Sequence, residues 1–206
     1  MLGMGLGLTG LCQAQGPRPA LLRNILVVGD SISAEYGLKR GSGWVALMEQ
    51  KIDAGKMPWK VVNASISGDT SSGGRSRLLA LLKQHQPRLV LIELGGNDAL
   101  RGLPLESTQQ NLLAMVKMVQ DTGATALLLG MQVPPNYGQD YAARFASVFN
   151  VVAKTTKSML VPFLLKGIAD GPQAEQLFQS DRIHPTEAAQ PLILNNVWPI
   201  LRKLIA

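Results

Sequence analysis

The chain has 206 residues, 46% hydrophobic and 17% charged, which suits one medium folded domain with a real core and excludes a disordered chain. Its net charge is +6 and its isoelectric point about 9.7. Lysines and arginines stand singly or in close pairs such as Lys39-Arg40, and only 5% of residues are aromatic, so the basic stripe of a nucleic-acid binder is missing. The one cysteine, Cys12, excludes an internal disulfide, and packing alone must hold the fold.

Residues Met1–Ala14 carry no charge and are rich in leucine and glycine. They read as the apolar part of a secretory signal that ends in a small-residue site near Cys12-Gln13-Ala14, without the usual basic start. The stretch is too short and glycine-rich for a membrane span. Leu11 stands where a lipoprotein would have a small residue before its cysteine. The expectation is a periplasmic or secreted protein.

From Asn24 onward β-prone runs alternate with one-sided helical patterns. Strands are expected at Ile25–Val28, Lys60–Asn63, Leu89–Leu94, Ala126–Gly130 and, more weakly, Met159–Phe163. Apolar residues at three- and four-residue spacings predict helices over Trp44–Lys51, Arg75–His85, Gln109–Asp121 and Tyr141–Lys157. A last helical segment, Pro185–Leu204, is interrupted by Pro191 and Pro199. Strands apolar on both faces and separated by helices imply a parallel sheet covered on each side. Residues 24–206 are therefore expected to form one three-layer α/β domain.

The run Ile25-Leu26-Val27-Val28 stops at Gly29-Asp30-Ser31. A serine at the carboxyl end of a buried first strand stands where open α/β sheets place their chemistry. Taken alone, these residue types favour the plainer reading, helix capping by Asp30 or Ser31. A nucleophilic serine needs a base, and the base an orienting group. Of the two histidines, His85 ends a helix before a strand, at the amino edge of the sheet. His184 lies in Ser180-Asp181-Arg182-Ile183-His184-Pro185-Thr186, a polar loop leaving the same edge as Ser31. Asp181 precedes it by three residues, within reach of the imidazole from a tight turn, although Asp181 or Thr186 could also simply start a turn or helix. After the second and third strands, Gly68 could offer a backbone N–H and Asn97 a side-chain amide to an oxyanion; turn formation is the plain alternative for each.

Taken together, Gly29-Asp30-Ser31-Ile32, Gly68, Gly95-Gly96-Asn97-Asp98 and Asp181-Arg182-Ile183-His184 resemble, in order and spacing, the four blocks of the SGNH (GDSL-type) hydrolase superfamily. Within it, Val62–Thr70, Leu94–Gly102 and Pro134–Gly138 are similar to the bacterial periplasmic thioesterase/protease/lysophospholipase and arylesterase group. The resemblance spans Asn24 to the C-terminus. Ile32 departs from the leucine of the name motif, an apolar exchange.

The resemblance implies a flavodoxin-like sheet of five parallel strands. It makes Ser31 the nucleophile, His184 the base and then acid, and Asp181 its orienting partner. Ser31, Gly68 and Asn97 become the oxyanion donors, and Asp30 and Asp98 hold the loops that carry Ser31 and Asn97. The implied substrates are aryl esters, acyl thioesters and lysophospholipids. No metal, cofactor, nucleic acid or obligate protein partner is expected, and contact with lipid would be transient. Gln132–Tyr141 reads equally as a wall of the acyl groove or as a plain connecting loop. A carbohydrate-ester deacetylase is the alternative among enzymes. A degenerate, surface-binding hydrolase is disfavoured because Ser31, Asp181 and His184 are all present. A non-catalytic flavodoxin-like binding domain would use the glycine- and serine-rich Gly68–Ser76 for phosphate, but that segment lacks the P-loop lysine and no G-x-G-x-x-G follows the first strand.

Overall fold

Five β-prone runs pair into one parallel sheet in the computed structural model, which describes residues 22–206. The strands are β1 (Arg23–Gly29), β2 (Trp59–Asn63), β3 (Leu89–Glu93), β4 (Thr125–Leu129) and β5 (Met159–Val161), in the spatial order β2-β1-β3-β4-β5. That is the flavodoxin-like order expected above. Ile25–Val28 and Val90–Ile92 are fully buried, because helices cover the sheet on both faces. The long helices are α1 (Trp44–Ala54), α2 (Ser71–His85), α4 (Leu105–Asp121), α5 (Gln139–Thr156) and α7 (Gln190–Ile205); α3 (Gly96–Leu100) and α6 (Ala174–Leu177) are short. Helix α1 packs against α7, while α2, α4 and α5 lie side by side. Trp44, Phe145 and Phe149 are the largest fully buried side chains, each contributing on the order of 2–3 kcal/mol through burial.

The order of the strands places the site. From β1 the chain crosses to β2 on one side and then returns to β3 on the other. The two crossovers part outside the carboxyl ends of β1 and β3, which leaves a crevice there. The register aligns those ends, Gly29 opposite Glu93. Ser31 follows two residues later.

Helix starts differ most from the sequence expectation. Helix α2 begins at Ser71, four residues before Arg75. Ser-Ser-Gly-Gly disfavours helix, but Thr70 accepts the Gly73 N–H and Asp98 accepts the Ser71 N–H, satisfying the exposed end. Helix α4 likewise starts at Leu105, directly after Pro104. Pro191 opens α7 instead of interrupting it, since its missing N–H costs nothing in a first turn. Pro199 is carried inside the same helix on an exposed position, where the carbonyl it leaves unpaired can be hydrated. Helix α3 stands where the sequence shows only a loop after the third strand. Among the described residues no helix is long and apolar enough to cross a membrane. The signal-like Met1–Ala14 lies outside the described residues.

Candidate active site

Ser31 stands at the first bend beyond β1, nine-tenths buried. The turn is built on Asp30: its carbonyl accepts the Ala34 N–H at 2.9 Å and its carboxylate the Ile32 N–H at 3.1 Å. Among the described residues nothing accepts the N–H of Ser31 itself.

His184 Nε2 lies 2.8 Å from Ser31 Oγ, across 153 residues of chain. On its other side Nδ1 is 2.6 Å from Asp181 Oδ2. A carboxylate only accepts, so Nδ1 carries the proton and Nε2 is left to accept from the serine hydroxyl. Asp181 Oδ1 takes the N–H groups of Ile183 and His184 at 2.9 and 3.0 Å, and Arg182, directly after Asp181, adopts φ +58°. This is the tight turn that three-residue spacing permits. Partial burial works to raise the Asp181 carboxyl, but the hydrogen bonds from the His184 ring and from the two backbone N–H groups outweigh it and hold the pKa near 2.

Gly68 and Asn97 leave the neighbouring strand ends. The β2 exit is pinned to β1 by Ala64 N–H on the Val27 carbonyl (2.9 Å) and Ile66 N–H on Gly29 (3.0 Å). Gly68 then turns at φ +77°, a conformation that costs a Cβ-bearing residue. Its carbonyl accepts from Arg101 Nη2 at 2.7 Å, and among the described residues its N–H has no acceptor. Asn97, in the first turn of α3, donates one amide hydrogen to Asp30 Oδ2 at 3.0 Å, which leaves the second hydrogen to give. Three unspent donors, on Ser31, Gly68 and Asn97, thus sit on the loops of three adjacent strands.

Asp98 ties the Asn97 loop down. Its oxygens accept from the Ser71 N–H (2.8 Å), the Ser71 hydroxyl and Thr108 Oγ1 (3.2 Å), joining α3 to α2 and α4. His85, as expected, ends α2 at the opposite edge of the sheet, where its carbonyl accepts from Asn24. Gln132–Tyr141 contains a short 3-10 turn and the start of α5, with Tyr137 and Tyr141 stacked at 6.1 Å.

Sequence reasoning missed Glu93, Gln179 and Tyr36. Glu93 closes β3 fully buried; its Oε2 accepts from the Asp30 N–H (3.2 Å) and Ser33 Oγ (2.7 Å), while Oε1 has no partner. Burial, reinforced by the charge of Asp30, pushes the Glu93 carboxyl well above its usual range. Burial also lifts Asp30 to about 6, against the pull of its hydrogen bonds from Ile32 and Asn97. A lone carboxylate inside an otherwise apolar central strand was the available signal. Gln179 offered none: its backbone N–H binds the His184 carbonyl at 2.8 Å, and its side-chain amide bridges the carbonyls of Tyr36 (2.9 Å) and Pro185 (3.2 Å).

Residues 27–191 match the GDSL-like Lipase/Acylhydrolase family. Over 186 residues the chain is 50% identical to "Esterase TesA" of Pseudomonas aeruginosa, covering 90% of this chain and 91% of the relative. It is 42% identical over 188 residues to "Thioesterase 1/protease 1/lysophospholipase L1" of Escherichia coli K12, covering 91% and 88% of the two chains. A crystal structure of TesA superposes with a TM-score of 0.85 at 50% identity, over 88% of this chain and 99% of that one.

Proposed function

The chain belongs to the GDSL-like lipase/acylhydrolase family, and from that premise we propose that it hydrolyses acyl esters and thioesters through an acyl-enzyme on Ser31. His184 Nε2 takes the hydroxyl proton as Ser31 Oγ attacks the acyl carbon. The oxyanion is received by the N–H groups of Ser31 and Gly68 and the free amide hydrogen of Asn97. As the intermediate collapses, His184 returns the proton to the leaving alcohol or thiol. Water then repeats the sequence on the acyl-enzyme, with His184 again as base and acid. Asp181 keeps the imidazole in the tautomer that presents Nε2 to the serine.

The observation that carries this reading is the unbroken run from Asp181 Oδ2 through the imidazole to Ser31 Oγ, at 2.6 and 2.8 Å. Aryl esters, acyl thioesters and lysophospholipids are the proposed substrates, with only transient contact with lipid and no obligate protein partner. The uncharged Met1–Ala14 supports export to the periplasm or medium, which cell fractionation checks. The chemistry is tested with 4-nitrophenyl acyl esters of increasing chain length, with and without Ser31→Ala, and by mass spectrometry after a fluorophosphonate probe. Hydrolysis that disappears in the variant, with the adduct on the Ser31 peptide, is the expected result. Wild-type protein inert to every chain length overturns the proposed activity, and a fully active Ser31→Ala overturns the assignment of the nucleophile.

A further inference from the structure

Tyr36 projects from the turn that follows Ser31 and lies against His184, with ring centroids 4.2 Å apart and planes tilted by 36°. Half of its surface is exposed, which is unusual for a large aromatic side chain at a position so firmly held. Its N–H donates to the Ser31 carbonyl at 3.2 Å, and its own carbonyl accepts from Gln179 Nε2 at 2.9 Å. The preceding Glu35 adopts φ +60°, the left-handed region. The Glu35 carboxylate is clamped in turn by the N–H groups of Gly41 (3.0 Å) and Gly43 (2.9 Å). Strain of this kind persists only where surrounding contacts impose it. Among the described residues the Tyr36 hydroxyl has no hydrogen-bond partner. The backbone therefore presents a ring, and the phenol oxygen takes no part in placing it.

We infer that the Tyr36 ring reads the leaving group of the substrate and favours flat aromatic ones; this rests on the roles proposed above for Ser31 and His184. Acylation forms the bond between Ser31 Oγ and the acyl carbon, breaks the bond from that carbon to the leaving oxygen, and delivers the serine proton through His184 to that oxygen. The leaving atom must then lie within hydrogen-bond reach of His184 Nε2. The carbonyl oxygen is drawn the other way, toward the donors on the β2 and β3 loops. A leaving group next to Nε2 meets the ring already packed on the imidazole, and its exposed surface is free for an offset or edge-to-face contact with a second ring. A saturated leaving group gains only ordinary apolar contact there.

Phenyl butyrate and ethyl butyrate give the same butyryl-enzyme, so they differ only in the step this ring would influence. Comparing each ester's kcat/KM in variant and wild type cancels the intrinsic reactivities of the two esters. In Tyr36→Leu the preference for phenyl over ethyl should fall about threefold to tenfold, the worth of one aromatic contact, and Tyr36→Phe should restore the wild-type preference. Equal losses for both esters in Tyr36→Leu would show a ring that merely packs on His184, and overturn the inference. So would a preference lost equally in Tyr36→Phe. Wild-type protein inactive on both esters would instead overturn the proposed function itself.

Discussion

Asp30 sits between the two halves of the site. Its Oδ1 shapes the turn that carries Ser31, and its Oδ2 holds Asn97 in the amide orientation that leaves one N–H free. If Asn97 has the donor role proposed for it, replacing it with alanine should lower kcat/KM by roughly a hundredfold to a thousandfold, the usual cost of losing an oxyanion donor, with little change in KM. Asp30→Asn keeps the volume but replaces one of the two accepting oxygens with an NH2 that only donates, so the Ile32 N–H or the Asn97 amide loses its acceptor. A smaller loss, about tenfold, is expected from losing that one hydrogen bond, because the Asn97 amide itself remains. Steady-state kinetics on a short-chain ester ranks the two, and an Asp30→Asn variant as damaged as Asn97→Ala would mean that Asp30 does more than orient. Legibility at this scale followed distance along the chain. Asp181 and His184 were readable because three residues fit one turn. The contact from Ser31 to His184 closes 153 residues, and only strand topology or the resemblance could supply it. Glu93 is harder to see, because a single carboxylate barely disturbs the apolar pattern of Leu89–Leu94.

The elements themselves were visible where burial is two-sided. The central strands β1 and β3 stand out most, while the edge strands β2 and β5 are partly exposed and weaker in pattern, and the structure moves no strand end by more than two positions. What periodicity did not show was how helices begin. Thr70, Asp98 and Pro104 set starts that propensity alone would place later, since an N-terminal turn is stabilised by groups outside the helix. Helix α3, five residues long, is too short for any period to register. Close approach between elements was equally silent. Gly130 follows β4, donating its N–H to the Val161 carbonyl and accepting the Leu164 N–H, both at 2.8 Å. A Cβ there would fall 2.3 Å from the Pro162 carbonyl oxygen, and backbone cannot swing aside as a side chain does. Gly130→Ala should therefore destabilise the fold by roughly 2 kcal/mol or more through overpacking, read as a lower urea midpoint. Unchanged stability would mean that the β4 and β5 exits can separate without cost.

At the scale of the whole molecule, the carboxyls that serve the site tilt its stability against pH. Glu93 and Asp30 are raised by burial, so between their ordinary values and their folded ones the native protein keeps protons that the unfolded chain has released. Their contribution is complete below about pH 4 and is lost as pH rises, for Asp30 through about 6 and for Glu93 well above its ordinary range. Asp181 works in the opposite sense: lowered from 3.8 to about 2, it stabilises the fold above that range and fails as acid approaches 2. Above about pH 4.5, beyond the range in which Asp181 titrates, the buried pair dominates, and the melting temperature should fall over the window that runs through about pH 6 and upward. Glu93→Gln keeps the shape and the oxygen that accepts from Asp30 and Ser33, but it cannot ionise. The fall in melting temperature should be smaller in the variant by at least about 2 °C, which for a chain of this size corresponds to roughly 0.5–1 kcal/mol. Parallel melting curves across the window would show that Glu93 does not titrate there. A buried, partnerless oxygen behind the Ser31 turn would then be a cost borne equally at every pH.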